Sequence, residues 1–183
     1  FYDTLNQNNF LNSGSSAKFP MKKSEKMTKQ EIFAACKTWI GKGGNMYSSV
    51  LSTAISGVEG VAVLVEADVS NGLPMFSMVG FLSSRVREAQ DRVWTALRNT
   101  GLSFPPKRIT VNLSPADIRK EGTRFDLPIA AALLGAFGYL DKEKLQGVCM
   151  AGELGLNGEV KGIRGVLSII DTAEKNGCSL CIV

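Results

Sequence analysis

The sequence predicts an α/β (α+β) domain, a mixed sheet with helices packed against it, and three observations carry that prediction. The first is a block of three strand-like runs, Tyr47 to Ile55, Val61 to Val69 and Met75 to Val79, followed by a helical pattern from Ser84 to Asn99. The second is a strand, a charged loop and a buried helix in succession between Lys107 and Leu140. The third is the last stretch, where a short strand, a hairpin, a helix and a further strand follow one another. Strands alternating with helices are the mark of a sheet covered by helices.

In chain order, Gly57-Val58-Glu59-Gly60 turns the first strand into the second, which is dense in Val. Ser70-Asn71-Gly72 is a hairpin signal, because Asn-Gly accepts positive φ. The third strand ends at Gly80. In the helix after it, Val86, Ala89, Val93, Ala96 and Leu97 share one face. Ser83 or Ser84 can cap its start, and Asn99-Thr100-Gly101 stops it. Glu88 is spaced to pair with Arg85 and Arg92, and Asp91 with Arg87. Such local pairs on a solvated face compete with an anion-binding role for the same arginines.

From Lys107 to Leu113, Ile109, Val111 and Leu113 alternate with polar residues, as in a half-buried strand. Pro115 and Gly122 break the loop that carries Asp117, Arg119, Lys120, Glu121 and Arg124. Asp126 is placed to cap the next helix, with Pro128 in its first turn. From Leu127 to Leu140 nearly every face is apolar, so this helix belongs in the core. Val148 to Ala151 then reads as a strand, Glu153 to Val160 as a tight hairpin around Asn157-Gly158, Val166 to Asn176 as a helix, and Ser179 to Val183 as a strand.

Residues 1–45 differ in character. Residues 1–27, rich in Asn, Ser and Lys, are expected to be disordered. A short helix is expected from a Thr28-Lys29-Gln30-Glu31 capping box to Ile40, with Gly41, Gly43 and Gly44 ending it. Continuous patterning begins at Met46, which is expected to be the natural start, and Lys42-Gly43-Gly44-Asn45 could be encoded by a purine-rich ribosome-binding stretch. The two parts are therefore expected to be a tail, 1–45, and a domain, 46–183, with more protein following the final strand.

The net charge of +4 on 183 residues is unevenly spread. Residues 1–45 hold seven Lys against three acids, whereas residues 46–183 are neutral overall. Within the neutral part, residues 85–124 hold nine basic residues against four acids, and that local excess suits an anionic partner. The nine are Arg85, Arg87, Arg92, Arg98, Lys107, Arg108, Arg119, Lys120 and Arg124.

Hydrophobic residues at 44% and charged residues at 21% are ordinary for a globular protein. No apolar run reaches the length of a membrane span, and no secretory leader is visible, so a cytoplasmic setting without membrane contact is expected. The four cysteines, Cys36, Cys149, Cys178 and Cys181, form no disulfide framework. Cys178 and Cys181 have zinc-knuckle spacing, but no second pair and no histidine accompany them, so packed strand-end cysteines are favoured over a metal. The chain has no histidine at all, which removes the commonest general base. A Ser–Lys hydrolase would have to draw on Ser114 or Ser168 with Lys120 or Lys161, and no spacing pairs them. No Gly-x-x-x-x-Gly-Lys-Ser/Thr run occurs, so no phosphate-binding loop of that kind is present. Trp94 and Phe104 lie near basic residues and could stack on bases, though single aromatics usually pack.

Several segments together resemble one known family. They are Val69-Ser70-Asn71-Gly72-Leu73-Pro74, Val79-Gly80, Val86-Arg87-Glu88, the run from Lys107 to Gly122, Phe125-Asp126-Leu127-Pro128-Ile129-Ala130, and Gly152-Glu153-Leu154. Residues 46–183 are similar to the N-terminal domain of the Mg-chelatase-like AAA+ ATPases of the ComM/YifB type, and the run from Asn112 to Pro128 is the most specific part. The resemblance implies a fold like the proteolytic domain of Lon protease, with a mixed sheet and a left-handed crossover. Lon's nucleophile lies in a Gly-Pro-Ser-Ala-Gly segment; the corresponding Gly122-Thr123-Arg124-Phe125-Asp126 puts Arg124 at the serine position. Lon's lysine position falls near Leu167. Arginine cannot serve as that nucleophile, nor leucine as its base, so the resemblance implies no peptidase chemistry and no catalytic residue here.

For the whole protein the resemblance implies a ring-forming, hexamer-type motor that hydrolyses ATP with Mg2+ and acts on DNA in natural transformation and branch migration. No cofactor is expected in this chain itself; ATP and Mg2+ would belong to an ATPase module. The expected role of residues 46–183 is to guide DNA, through the nine basic residues, and to support subunit assembly with that module. One alternative is a pure oligomerisation module, with Arg119-Lys120-Glu121 making contacts between subunits. Another is a cryptic Ser peptidase.

Overall fold

The computed structural model describes residues 46–183. The expected tail and the expected helix from Thr28 to Ile40 lie outside the described residues. A six-stranded mixed sheet forms the centre, its strands side by side in the order Met75–Val79, Arg108–Ser114, Glu59–Ser70, Tyr47–Ser56, Val148–Met150 and Leu180–Ile182.

Strands β1 (Tyr47–Ser56) and β2 (Glu59–Ser70) make a long antiparallel hairpin in register from Tyr47 opposite Asp68 to Ser56 opposite Glu59. Only Gly57 and Val58 are left for the turn, so the strands run further into it than the composition suggests. Strand β3 (Met75–Val79) does not fold back on β2, contrary to the Asn71-Gly72 hairpin signal. Strand β4 (Arg108–Ser114) lies between them, antiparallel to β2 and parallel to β3. The alternation within β4 decides this. Ile109, Val111 and Leu113 stand opposite Val69, Ala67 and Val65 of β2, and all six are buried. A short, partly exposed β3 could not close that apolar face.

The helical stretch after β3 is interrupted at Glu88, giving α1 (Ser84–Arg87) and α2 (Ala89–Asn99). Ser83 occupies the cap position without a side-chain capping bond. Helix α3 (Asp126–Ala136) is buried at every residue. It stops short of the expected Leu140 because Gly138, at φ 79°, takes the left-handed turn that closes the helix, with Tyr139 N–H returning to the Leu134 carbonyl at 2.8 Å. Asp126 is not its N-cap; Phe125 is, and the Asp126 carboxylate is used elsewhere. A 3-10 turn (Lys142–Leu145) leads to β5 (Val148–Met150), parallel to β1 on the far side of the sheet. Strands β6 (Glu153–Leu154) and β7 (Val160–Lys161) form the expected hairpin around Asn157-Gly158. Helix α4 (Val166–Lys175) then crosses to β8 (Leu180–Ile182), parallel to β5.

The two faces of the sheet are covered differently. Helix α3 lies on the face of Ser48, Val50, Val65 and Val111, and Trp94 of α2 meets Phe76 of β3 on that side at 6.2 Å. Trp94 also packs on Phe104, which packs on Phe137 and Tyr139, so both aromatics are structural. On the other face α4 packs across β2, β1 and β8. There Cys149, Ala151, Ile169 and Ala173 form a small core with Leu51, Ile55, Cys178 and Cys181 around it. The cysteines are packing groups, as their strand-end positions suggest. Among the described residues no helix is long and apolar enough to cross a membrane.

Candidate anion-binding cleft

Two segments far apart in sequence are pinned by backbone bonds. Lys120 N–H donates to the Phe81 carbonyl at 2.9 Å, and Ser83 N–H donates to the Lys120 carbonyl at 3.0 Å, a parallel bridge centred on Leu82 and Lys120. The far end of the same loop is pinned to the β6 approach. Gly152 N–H donates to the Arg124 carbonyl at 2.8 Å, and Leu127 N–H to the Gly152 carbonyl at 3.0 Å. The Thr123 hydroxyl donates to the Glu153 carboxylate. A loop fixed at both ends by main-chain bonds holds its side chains in place without needing regular structure.

The result is a cleft of about 450 Å3 lined by Ser83, Arg85, Arg119, Glu121 and Arg124 together with Ile55 and Gly57. A second cleft, of about 260 Å3, lies on the other side of Arg124 with Thr123, Glu153 and Arg164. Arg119 and Glu121 pair at 3.0 Å and are well exposed at the rim. Arg124 is half-buried. Its Nη1 and the Ser83 Oγ are buried without a hydrogen-bond partner among the described residues. Burial pushes the Arg124 guanidinium below its ordinary value, and no countercharge opposes that shift. A guanidinium stays protonated in a protein all the same, so this is a half-buried positive charge without a carboxylate partner among the described residues.

The nine basic candidates divide sharply. Arg85, Arg119 and Arg124 come together in the cleft. Lys120, their sequence neighbour, is fully buried. Its ammonium donates to the Pro115 carbonyl next to the cis Ser114–Pro115 bond. Burial pushes its pKa down, with Asp117 opposing. It cannot reach a partner subunit from there. Arg92 is committed to the buried Asp126, at 2.9 Å, and only loosely to Glu88, at 3.6 Å. The expected pairs of Arg85 with Glu88 and of Arg87 with Asp91 do not form. Lys107 bonds to Asn71, and Arg87, Arg98 and Arg108 are exposed away from the cleft.

Ser168, a rival nucleophile, gives its hydroxyl proton to the Val58 carbonyl at 2.8 Å. Leu167, near Lon's lysine position, is exposed on α4. Residues that the sequence pattern missed are Ser83, read only as a cap, Asp126, read as a cap instead of a buried acid, and Arg164, which lies outside the basic segment. The sequence has no phosphate-binding loop, and among the described residues no group of three acidic or Cys side chains is placed to hold a metal.

Residues 65–183 match the family model described as subunit ChlI of Mg-chelatase. The chain is 47% identical over 133 residues to the competence protein ComM of Haemophilus influenzae, covering 73% of this chain and 26% of that protein. It is 44% identical over 135 residues to the uncharacterized protein YifB of Escherichia coli, covering 74% and 27%. An uncharacterized Mycobacterium tuberculosis protein, Rv2897c, is 39% identical over 132 residues, covering 72% and 26%. The chain thus spans about a quarter of the length of these relatives. With a ChlI-type match over most of its length and ComM and YifB among its relatives, the chain belongs to the Mg-chelatase-like family of the ComM/YifB type.

Proposed function

We propose that residues 46–183 are a non-catalytic, Lon-like domain of a Mg-chelatase-like AAA+ motor that contacts DNA through the Arg85–Arg119–Arg124 cleft. The observation that carries this is the half-buried Arg124 guanidinium without a partner, flanked by two more arginines. Phosphate contacts of this kind position a nucleic acid without reading its sequence. The name of the Haemophilus relative, a competence protein, agrees with a role in handling incoming DNA. On this reading ATP hydrolysis with Mg2+, natural transformation and branch migration belong to the whole motor, a hexamer-type ring in the cytoplasm. The domain would guide DNA toward its own AAA+ module.

The test is binding of the 183-residue chain to single- and double-stranded DNA across a salt series. Affinity should fall steeply with salt, and Arg85→Ala with Arg124→Ala should weaken binding and flatten the salt dependence by about one unit per lost contact. Binding that ignores both substitutions would move the DNA path off this cleft.

A second reading, assembly alone, is favoured by a different feature. Strand β3 is a sheet edge, and Met75 and Val79 at its two ends and Phe81 just after it are exposed. Mass measurements on the same samples decide between the two. An oligomer that dissociates on Phe81→Ser, without DNA binding, would make this an assembly module.

A further inference from the structure

We propose that the Arg124 cleft is a seat for a phosphomonoester dianion, the terminal phosphate of a DNA end, held by Arg85, Arg124 and the Ser83 hydroxyl. The inference deepens the DNA reading above and depends on it for the source of the phosphate.

Charge selects the dianion. Arg119 at the rim is neutralised by Glu121 at 3.0 Å, and Arg92 by Asp126. Arg85 and Arg124 are left without carboxylate partners among the described residues, two charges facing one space. A phosphomonoester carries about −1.5 to −2 near neutral pH and three acceptor oxygens, whereas each backbone diester carries about −1.

Hydrogen-bonding capacity points the same way. Arg124 Nη1 and Ser83 Oγ are both buried and unsatisfied, an arrangement that costs free energy until an acceptor arrives. Two glycines lie beside the guanidinium. A Cβ on Gly122 would sit 3.9 Å from Arg124 Nε, and one on Gly165 would sit 3.7 Å from Nη1. Charge-assisted bonds from arginine to phosphate oxygens are among the stronger polar contacts available to a protein.

The experiment compares a short oligonucleotide bearing a 5′-phosphate with its 5′-hydroxyl twin, by fluorescence anisotropy on the 183-residue chain. Inorganic phosphate serves as competitor and as additive in thermal unfolding at matched ionic strength. The phosphorylated end should bind about tenfold or more tightly than the hydroxyl end. The preference should fade as pH drops below about 6 and the phosphate gains a proton. Arg124→Gln and the exposed Arg85→Gln should each erase the preference; a merely structural role for Arg124 would lower thermal stability and leave the ratio intact. If Arg124→Gln does not fold, Arg85→Gln carries the test. Equal binding of both ends, with no stabilisation by inorganic phosphate, would overturn the seat while leaving the DNA reading standing. Stabilisation by inorganic phosphate that needs Arg124, with neither oligonucleotide bound, would support the seat for free phosphate and overturn the DNA source.

Discussion

Arg92 and Asp126 meet through two parallel hydrogen bonds, Nε to Oδ2 and Nη2 to Oδ1, each 2.9 Å long. Asp126 is fully buried, and its Oδ2 also accepts from Leu154 N–H at 3.3 Å. Arg92 Nη2 donates in addition to the Arg85 carbonyl at 3.0 Å. One carboxylate therefore ties the start of α3 to α2 and to β6, and through Arg92 it sets the backbone that carries Arg85 into the cleft. Burial raises the Asp126 carboxyl above its ordinary value while Arg92 pulls it down.

Removing one partner of a buried pair strands the other charge. Arg92→Ala is expected to cost about 3–5 kcal/mol, measured by urea unfolding, and the Arg92→Met, Asp126→Leu double variant much less than the two single changes combined. Single costs that simply add would mean that the two side chains act independently.

Neighbouring residues in the basic loop should behave very differently. Arg119→Ala and Glu121→Ala break an exposed pair and should each change stability by less than about 1 kcal/mol. Lys120→Ala removes a fully buried stem and orphans the Pro115 carbonyl, so about 2–4 kcal/mol is expected. Thermal unfolding of the three variants side by side checks the contrast. Equal effects would place Lys120 at the surface.

The small core behind β5 predicts an alkaline weakness. Burial pushes the Cys149 thiol from 9.0 up to about 12, and burial raises Cys178 and Cys181 too. Between those values the unfolded chain has lost the Cys149 proton and the folded chain still holds it. The folded state then binds more protons, so stability falls as pH rises across the window. The lowered Lys120 acts in the opposite sense, one group against the three thiols and the Tyr47 phenol, which its hydrogen bond to Glu66 also raises. Urea midpoints at about pH 8 and about pH 10 should show the loss, and Cys149→Ala should shrink it. A midpoint that does not move with pH would place the thiol in water.

Periodicity made the β1–β2 and β6–β7 hairpins, the β4 alternation and the buried α3 readable, because each depends on residues a few positions apart. Strand order was not readable. Asn71-Gly72 carries good hairpin chemistry, yet β4 takes the place beside β2 because Ile109, Val111 and Leu113 fill its apolar face. Asp126 looked like a cap since it opens a helix; its real partner, Arg92, is 34 residues earlier. For the cleft, composition located the basic segment but could not separate Arg119 from Lys120. A one-residue step decides which side chain points inward, and only the bridge to Leu82 sets it.

Gly60 of β2 lies directly against α4. A Cβ there would fall 2.0 Å from Thr172 Oγ1 and 2.5 Å from the Ser168 carbonyl oxygen. The hydroxyl is held in place, because it donates to that same carbonyl at 2.7 Å, and the carbonyl is main chain. Ser168 in turn holds the hairpin turn through Val58. A methyl group must therefore push the helix off the strands, and Gly60→Ala should cost about 1–3 kcal/mol. The helix starts at Gly165, beside Arg124, so the same variant should raise amide exchange along α4 and weaken phosphate binding at the cleft. Gly57→Ala, with nothing within 4 Å of its added methyl, meets only the penalty of a left-handed φ of 64° and should leave α4 exchange unchanged. If the two substitutions prove alike in exchange, the helix does not rest on Gly60.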